Sequence, residues 1–245
     1  MKNKNEWFKE WFNSPYYHIL YQNRNLKEAD LFIKNLSDFL QIKQNANVLD
    51  LACGNGRHSI ILNKLGFNIT GVDLSENSIS IAKQSENKNL QFHVHDMRNK
   101  FGSETYDYIF NLFTSFGYFN SMDENVKMLD SINKMIRPQG ILIIDFLNAQ
   151  KIIRELKSHE IKTIDKIQFN INRYIENKKV YKKISIIDPF GENYEFTERV
   201  QLFNLDDFNS LLHPNFKIIH TFGDFYLNKF YSEISDRLII IAQAK

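Results

Sequence analysis

Three acidic residues, each ending an apolar run, are the first candidates for chemistry in this 245-residue sequence. Asp50 ends "NVLD", Asp73 ends "NITGVD" and Asp96 ends "FHVHD". A tight turn containing Gly54 and Gly56 follows the first of these runs. Glycines let a ligand approach the main chain closely, and the helix that follows offers backbone N–H groups at its N-terminus. The pattern therefore predicts a site for a nucleotide-like ligand.

The residues around the turn narrow the chemistry of that ligand. Ser59 stands where a dinucleotide fingerprint has its third glycine, and the Asp50 carboxylate would repel a phosphate. A carboxylate at Asp73 can accept hydrogen bonds from both hydroxyls of a ribose. S-adenosylmethionine suits three such acids because it has an amino acid head, a ribose and an amino-bearing base, and no phosphate. A nucleotide-dependent oxidoreductase is the alternative.

The elements that must position these residues alternate between strands and helices. Five short apolar runs have the pattern of buried strands: "NVLDLA", "FNITGVD", "LQFHVHD", "YDYIFNLF" and "GILIIDFLN". Strands alternating with helices predict an α/β fold, a doubly wound parallel sheet covered on both faces. In such a sheet the ligand binds at the carboxyl ends of the strands.

This alternation stops after residue 158. Three runs, "KIQFNINRYI", "VYKKISIID" and "NYEFTERVQLF", have the pattern of strands joined by short turns, which predicts an antiparallel meander. In the third run Tyr194, Phe196 and Val200 fall on one face. We expect this meander to form one wall of the acceptor pocket, with Tyr194, Phe196 and Arg199 as acceptor contacts, or else to form a dimer contact.

In their order along the chain, these motifs resemble the class I S-adenosylmethionine-dependent methyltransferases. The resemblance is carried by "VLDLACGNGRHS", "GVDLS", "HVHDMRN", "YDYIFNLFTSFGYF" and "RPQGILIIDF", and residues 215–244 fit the last hairpin of that family. It implies a Rossmann-like seven-stranded methyltransferase sheet with an inserted antiparallel β meander, and S-adenosylmethionine as cofactor. No (Asn/Asp)-Pro-Pro-(Tyr/Phe) signature follows the fourth strand, and "SFGYF" is closer to the branch that acts on small molecules.

The resemblance also implies roles for individual residues of this sequence. The cofactor-binding set comprises Asp50, Ala52, Gly54 and Gly56 around the methionine end, Asp73 at the ribose, Leu74, Asp96 and Met97 at the adenine, and Asn111 to Phe113 beside the sulfonium. For Asp96, an ion pair with Arg98 is the alternative role. No metal site is expected. No general base can be assigned, although Tyr118, His18 and Tyr226 are candidates.

The N-terminal segment is expected to cover the cofactor. Tyr16, Tyr17 and Tyr21 lie in a polar interruption between two helical stretches, and we expect at least one of them, with Tyr21 as the assigned residue, near the methionine end. Arg24 is a similar candidate. The sequence is thus divided into a helical cap (1–45), a cofactor-binding α/β core (46–158), an inserted antiparallel β lid (159–203) and the last helix and strands of the core (204–245).

Composition restricts the remaining function classes. The net charge is only +2, which gives no whole-chain reason for nucleic acid binding, and Cys53 is the single cysteine, which excludes a disulfide within the chain. No apolar run approaches the roughly 18 residues of a membrane span. We therefore expect a cytoplasmic monomer or homodimer that contacts no membrane.

The predicted function is methyl transfer by in-line displacement to a nitrogen or oxygen atom of a small molecule. The acceptor could also be anionic, because residues 151–183 hold ten Lys or Arg against four Asp or Glu. Methylation of RNA or protein would use the same cofactor site. A binding protein without catalysis would share the fold, and the sequence leaves both of these functions open.

Overall fold

The computed structural model describes residues 6–22 and 26–245 of the chain. The chain begins with helices α1 (Trp7–Phe12), α2 (Pro15–Leu20) and α3 (Leu26–Phe39). It continues with β1 (Asn47–Leu51), α4 (Arg57–Lys64), β2 (Asn68–Asp73), α5 (Glu76–Ala82), β3 (Leu90–Val94), β4 (Tyr106–Asn111), α6 (Met122–Asn133), β5 (Ile136–Leu147) and α7 (Ala149–Glu155). Next come β6 (His159–Ile164), β7 (Ile167–Glu176), β8 (Lys179–Ile187) and β9 (Asn193–Gln201), and then α8 (Leu205–Leu212), β10 (Phe216–Phe222) and β11 (Arg237–Ala244).

The main sheet has seven strands in the order β10-β11-β5-β4-β1-β2-β3. Strands β1 to β5 pair in parallel, and β11 and β10 add an antiparallel edge. The predicted doubly wound, seven-stranded α/β fold is confirmed. Because the strands are parallel, the carboxyl ends of β1, β2 and β4 meet at one edge of the sheet.

A separate antiparallel sheet, hereafter the meander, follows β5 and α7. It has the order β6-β7-β8-β9, so it contains four strands, whereas the sequence predicted three. The strand that was missed, β6, is an edge strand with mostly exposed side chains, and it therefore lacks a periodic apolar signal. The stretch around Tyr16 is also not a plain interruption, because α2 forms there after the N-cap residue Ser14.

The N-terminal helices pack against two different parts of the molecule. Trp11 of α1 and Leu20 of α2 are buried against Phe169 and Ile184 of the meander. Helix α3 instead packs on the main sheet through residues such as Phe32. The predicted cap of residues 1–45 therefore comprises helices with different partners, and we use "cap" below for α1 and α2 alone.

The sequence has no apolar run long enough to predict a membrane span. In the described part of the chain, no helix is long and apolar enough to cross a membrane.

Candidate functional site

A cavity of 1020 Å³ opens at the carboxyl ends of the parallel strands. Its floor comes from the segments that follow β1, β2, β3 and β4, and its walls come from the cap and from β9. The predicted cofactor-binding residues that line it are Tyr21, Asp50, Ala52, Gly54, Asp73, Leu74, Asp96, Met97 and Phe113. Gly56 and Asn111, which were predicted in the same set, are not part of the lining.

The turn after β1 is fixed by Asp73. Ala52 and Gly54 have left-handed backbone conformations, with φ of 63° and 57°. The Gly54 N–H donates to Asp73 Oδ2 at 2.8 Å, and the Ser75 N–H donates to Asp73 Oδ1 at 2.8 Å. Burial raises the pKa of Asp73, although these backbone N–H groups oppose the rise. One carboxylate therefore holds both the turn and the start of α5 while it faces the cavity.

Gly56 has a packing role that the sequence did not reveal. Its φ is +80°, and a Cβ built on it would lie 2.6 Å from the ring of Phe92. At Gly54, with φ of +57°, a Cβ would meet nothing within 4 Å. The two glycines of one motif thus serve different needs: Gly54 leaves room at the cavity, and Gly56 lets α4 approach β3.

Asp50 is a buried acid at the end of β1. It is 1% exposed, and the Ser59 hydroxyl donates to its Oδ2 at 2.5 Å. Burial raises its pKa to about 6; the Ser59 hydrogen bond opposes the rise and the charge of Asp73 adds to it. A buried carboxylate that has no ion-pair partner in the described part of the chain is suited to a cationic ligand group, such as an ammonium.

Asp96 follows β3 and belongs to a network of ion pairs centred on Arg98. Arg98 contacts the Asp96 carboxylate at 2.5 Å, Glu6 at 2.6 Å and Glu124 at 2.7 Å. Burial alone would raise the pKa of Asp96, but the hydrogen bonds and charge of Arg98 hold it below its ordinary value. The alternative pairing with Arg98 therefore exists in the structure, on a residue that also lines the cavity.

The turn after β4 is held in a strained conformation. Phe113 and Thr114 have φ of 59° and 61°, which is uncommon for residues with side chains. The Phe113 N–H donates to Asp145 Oδ2 at 2.9 Å, and Arg237 donates to both Asp145 Oδ1 at 2.7 Å and Thr114 Oγ1 at 2.9 Å. The ion pair on β5 and β11 thus fixes the loop that presents Phe113 to the cavity.

The Asn111 side chain points into the sheet, whereas the predicted role of its backbone carbonyl beside the sulfonium stays a prediction. It is fully buried, and its Nδ2 donates to the carbonyl oxygen of Leu51 at 3.0 Å. The amide therefore braces β4 against β1 beneath the floor.

The wall opposite the floor joins the cap to the meander. It contains a carboxylate that sequence reasoning missed, Glu198 of β9. Trp11 Nε1 and the Tyr21 hydroxyl donate to Glu198 Oε1 at 2.7 Å and 2.6 Å, and Lys182 Nζ lies 3.2 Å from Oε2. Lys182 also contacts the Tyr21 hydroxyl. We call Trp11, Tyr21, Lys182 and Glu198 the cap–meander cluster.

The residues of β9 that line the cavity are not the ones that the sequence predicted for the meander wall. Glu198 and Val200 line the cavity, whereas Tyr194, Phe196 and Arg199 do not. The sequence does contain a signal for this position, because strand alternation places the charged Glu198 on the same face as the apolar Phe196.

The remaining candidate residues divide in the same way. His18, Tyr17 and Tyr118 line the cavity, whereas Tyr226 does not and is 70% exposed. Tyr16 turns outward, with its ring centroid 4.8 Å from that of Tyr194. Arg24 lies outside the described residues.

An anionic acceptor and a metal site can both be compared with this geometry. The cavity lining includes none of the Lys or Arg residues between 151 and 183, which were considered as contacts for an anionic acceptor. Among residues 6–22 and 26–245, no three His, Cys, Asp or Glu side chains come together as a metal site would require.

Comparison with known proteins identifies the family. Residues 42–188 match the family described as a methyltransferase domain. The putative methyltransferase YqeM of Bacillus subtilis is 33% identical over 114 residues, which is 45% of this chain and 46% of that protein. The chain therefore spans about half the length of this curated relative.

Solved structures show the same fold at low sequence identity. An S-adenosylmethionine-dependent methyltransferase from Clostridium acetobutylicum superposes with a TM-score of 0.79 at 19% identity, covering 93% of this chain and 95% of that one. The sugar N-methyltransferase KedS8 from Streptoalloteichus superposes with a TM-score of 0.70 at 17% identity, covering 93% and 92%. Together with the match over residues 42–188, these findings show that the chain belongs to the class I S-adenosylmethionine-dependent methyltransferases.

Proposed function

We propose that this protein transfers a methyl group from S-adenosylmethionine to an amine nitrogen of a small molecule. The observation that carries the proposal is a cavity into which Asp50, Asp73 and Asp96 open and which the cap and meander close. The finer assignment, nitrogen rather than oxygen, rests on the acceptor side of that cavity.

The residues of the floor fit the cofactor by their chemistry. Asp50 would hold the cationic ammonium of the amino acid head, because it is a buried carboxylate with one hydroxyl partner. Asp73 would accept hydrogen bonds from the ribose hydroxyls. Each of its carboxylate oxygens accepts one backbone N–H, from Gly54 or Ser75, and keeps a second lone pair for a hydroxyl. Asp96 would accept from the adenine amino group, and Leu74 and Met97 would pack on the ring.

The size and closure of the cavity support a small acceptor. The cap brings the aromatic side chains of Trp7 and Phe12 over the floor, where they pack with Tyr118 of the segment that follows β4. Their ring centroids lie 5.3 to 5.5 Å apart in tilted or edge-to-face contacts. A polymer such as RNA or a folded protein would have to displace this wall, whereas a small molecule fits behind it.

A nitrogen acceptor is supported by the lining and by one of the structural relatives. KedS8 is named a sugar N-methyltransferase, and it shares the fold over nearly the whole chain. An amine needs only to be in its neutral form to react, whereas a hydroxyl also needs a base to take its proton. The carboxylate that the meander places in the wall, Glu198, suits a cationic amine better than an uncharged hydroxyl, because a hydrogen bond between two charged groups is the stronger.

The contribution of the chain to the reaction is alignment and exclusion of water. When bound, S-adenosylmethionine supplies a methyl group on a cationic sulfur, which the nitrogen lone pair takes as the carbon–sulfur bond breaks and S-adenosylhomocysteine leaves. The strained turn at Phe113 and Thr114, fixed by Asp145, would hold one side of the reacting groups. Orientation of two reactants in a closed site can lower a barrier by roughly 7 to 11 kcal/mol.

Labelled cofactor tests this function. The protein is incubated with S-adenosylmethionine carrying a deuterated methyl group and with a cell extract separated into small molecules, RNA and protein. We expect the label in an amine of the small-molecule fraction, found by mass spectrometry, and no label with the Asp73→Ala variant. Label in the RNA or protein fraction alone would contradict a small acceptor, and label on oxygen would contradict the nitrogen assignment. A protein that neither binds S-adenosylhomocysteine nor transfers label would contradict the function as a whole.

A further inference from the structure

Glu198 occupies a position where a charged residue is costly. Strand alternation puts it on the face of β9 that also carries Phe196 and Val200, and its side chain is 16% exposed. Removing a carboxylate from water costs several kcal/mol unless partners compensate. A hydrophobic residue at this position would have continued the apolar face of β9. The acid found there therefore needs a functional or structural explanation.

The partners of Glu198 hold it in one orientation. Oε1 accepts from both Trp11 and Tyr21, and Oε2 faces Lys182, its direct partner across β8 and β9. A carboxylate has about four acceptor positions, and the three donors found among residues 6–22 and 26–245 leave one of them on Oε2. Glu198 therefore combines a fixed position with spare capacity to accept one hydrogen bond.

The spare position belongs to a residue of the cavity wall. Glu198 and Tyr21 line the cavity, whereas Lys182 and Trp11 lie behind them. The meander thus presents to the cavity a hydrogen-bond acceptor whose negative charge is offset by Lys182 at 3.2 Å. A cationic N–H donor is favoured over a neutral O–H donor at such a point, because a hydrogen bond between two charged groups is the stronger. An anion is disfavoured because it would meet a carboxylate.

A purely structural clamp between cap and meander explains less of this arrangement. The cap already packs on the meander through the apolar core that contains Trp11, Phe169 and Ile184. Replacing a buried ion pair with hydrophobic residues is often neutral or stabilising, so the pair is weak evidence for a role in stability. A clamp also gives no reason for the carboxylate to reach the cavity.

We propose that Glu198 anchors the methyl acceptor by accepting a hydrogen bond from its amino group, so that amines, which bind as cations and lose a proton before transfer, are selected over their uncharged hydroxyl counterparts. The inference rests on the proposed function and deepens it by naming the acceptor class and the residue that selects it. Tyr21, Trp11 and Lys182 are positioning residues, since they act through Glu198.

Pairs of small amines and alcohols test this selection. The full-length protein is assayed with labelled S-adenosylmethionine and with glycine against glycolate, ethanolamine against ethylene glycol, and glucosamine and 3-amino-3-deoxyglucose against glucose. We expect at least one amine to be methylated with kcat/KM tenfold or more above its hydroxyl counterpart. Equal rates for both members of every methylated pair would overturn the proposal. So would methylation of none of these amines by protein that binds S-adenosylhomocysteine, an outcome that leaves the methyltransferase function standing.

Substitution at Glu198 then assigns the selection to this residue. Glu198→Gln can still accept from Trp11 and Tyr21 but loses its charge; we expect KM for the amine to rise at least tenfold while the Kd of S-adenosylhomocysteine changes less than threefold. The matched control is Glu195→Gln, on the exposed side of the same strand, which should change neither constant. An unchanged KM in Glu198→Gln, or equal changes in KM and Kd, would overturn the anchor role. Should Glu198→Gln not fold, Glu198→Asp shortens the side chain and keeps the charge, and the amine–alcohol pairs on the wild-type protein still decide.

Discussion

The floor of the cavity and the cap–meander cluster that faces it are built in different ways. Around Asp50 and Asp73, floor hydrogen bonds join residues that are close in sequence: Ser75 to Asp73 spans two positions, Ser59 to Asp50 nine and Gly54 to Asp73 nineteen. At the Phe113 loop the bonds reach further, 32 positions from Phe113 to Asp145 and 123 from Arg237 to Thr114. In the cluster, Trp11 and Glu198 are 187 positions apart. The part of the floor around Asp50 and Asp73 is therefore encoded in short motifs, the Phe113 loop depends on β5 and β11, and the facing wall exists only once the meander has packed on the cap.

This difference determines which experiments can separate the two regions. Removing residues 1–25 would take Trp11 and Leu20 from the core that they share with the meander. Replacing residues 159–203 by a linker would expose the same apolar surface from the other side. Point substitutions are cleaner, because each can leave that shared core in place.

The largest effect is expected on the floor, at Asp73. Its carboxylate holds the Gly54 turn and faces the cavity, so Asp73→Ala should weaken S-adenosylhomocysteine binding by about 2 to 4 kcal/mol. Isothermal titration calorimetry measures the loss. Asp236→Ala is the control, since that carboxylate is 71% exposed in a surface ion pair with Lys151. An affinity within threefold of wild type would show that Asp73 is not the ribose ligand.

The two glycines of the turn should separate stability from binding. Gly56→Ala would place a Cβ 2.6 Å from the Phe92 ring, so the free energy of unfolding should fall by about 1 to 3 kcal/mol. Gly54→Ala meets no neighbour, and only its left-handed φ opposes it, at a cost of about 1 to 2 kcal/mol. Urea unfolding and calorimetry on both variants compare the two losses. We expect Gly54→Ala to lose more cofactor affinity and Gly56→Ala more stability; the reverse order would contradict the assignment of Gly54 to the cavity.

The pH dependence of cofactor binding should report on Asp50. Because its folded pKa is raised to about 6, the folded chain keeps a proton that the unfolded chain releases near pH 4. The stability of the ligand-free protein therefore falls as pH rises through this window. The ionised form attracts an ammonium, so affinity for S-adenosylhomocysteine should rise roughly tenfold between pH 5 and 7. Asp50→Asn removes that titration, and a rise of the same size in this variant would assign it to another group.

Sequence reasoning predicted the floor residues and Tyr21 of the cap, but it missed Glu198 and the contacts that join the cluster, because it depends on local spacing. Strand-end acids such as Asp50 and a glycine turn follow from local spacing, and the family resemblance added the cofactor and the seven-stranded fold. Glu198 lies within an apolar alternation, and its partners are fixed only by tertiary packing. A local motif also leaves packing roles hidden: the cofactor contact of Gly56 stays a prediction, and the Phe92 ring that excludes a Cβ there lies on a different strand.

Secondary structure shows the same limit. The edge strand β6 was missed because exposed residues carry no two-residue period, and α2 was missed because its six residues, "PYYHIL", are too few to show a helical one. The division at residues 45, 158 and 203 remains a prediction.

The smallest expected effect concerns a polar contact between the cap and the floor. Arg98 joins Glu6, which precedes α1, to Asp96, at 2.6 Å and 2.5 Å. Glu6→Gln leaves Asp96 and Glu124 paired with Arg98. Partly exposed ion pairs contribute about 0.2 to 1 kcal/mol, so S-adenosylhomocysteine affinity should fall by no more than about fivefold.

Calorimetry at low and high salt measures this loss of affinity, with Glu10→Gln on the exposed side of the same helix as control. The loss should shrink at high salt because ions screen the pair. If Glu6→Gln binds as the control does at both salt concentrations, this contact does not couple the cap to the adenine end. The cap is then held by its other contacts, which are the apolar core with the meander and the hydrogen bonds from Ser75 and Asn77 to the carbonyl oxygens of Phe12 and Asn13. A loss above tenfold would instead make the floor depend on the cap as strongly as on its own acids, and the contrast between the two regions would fail.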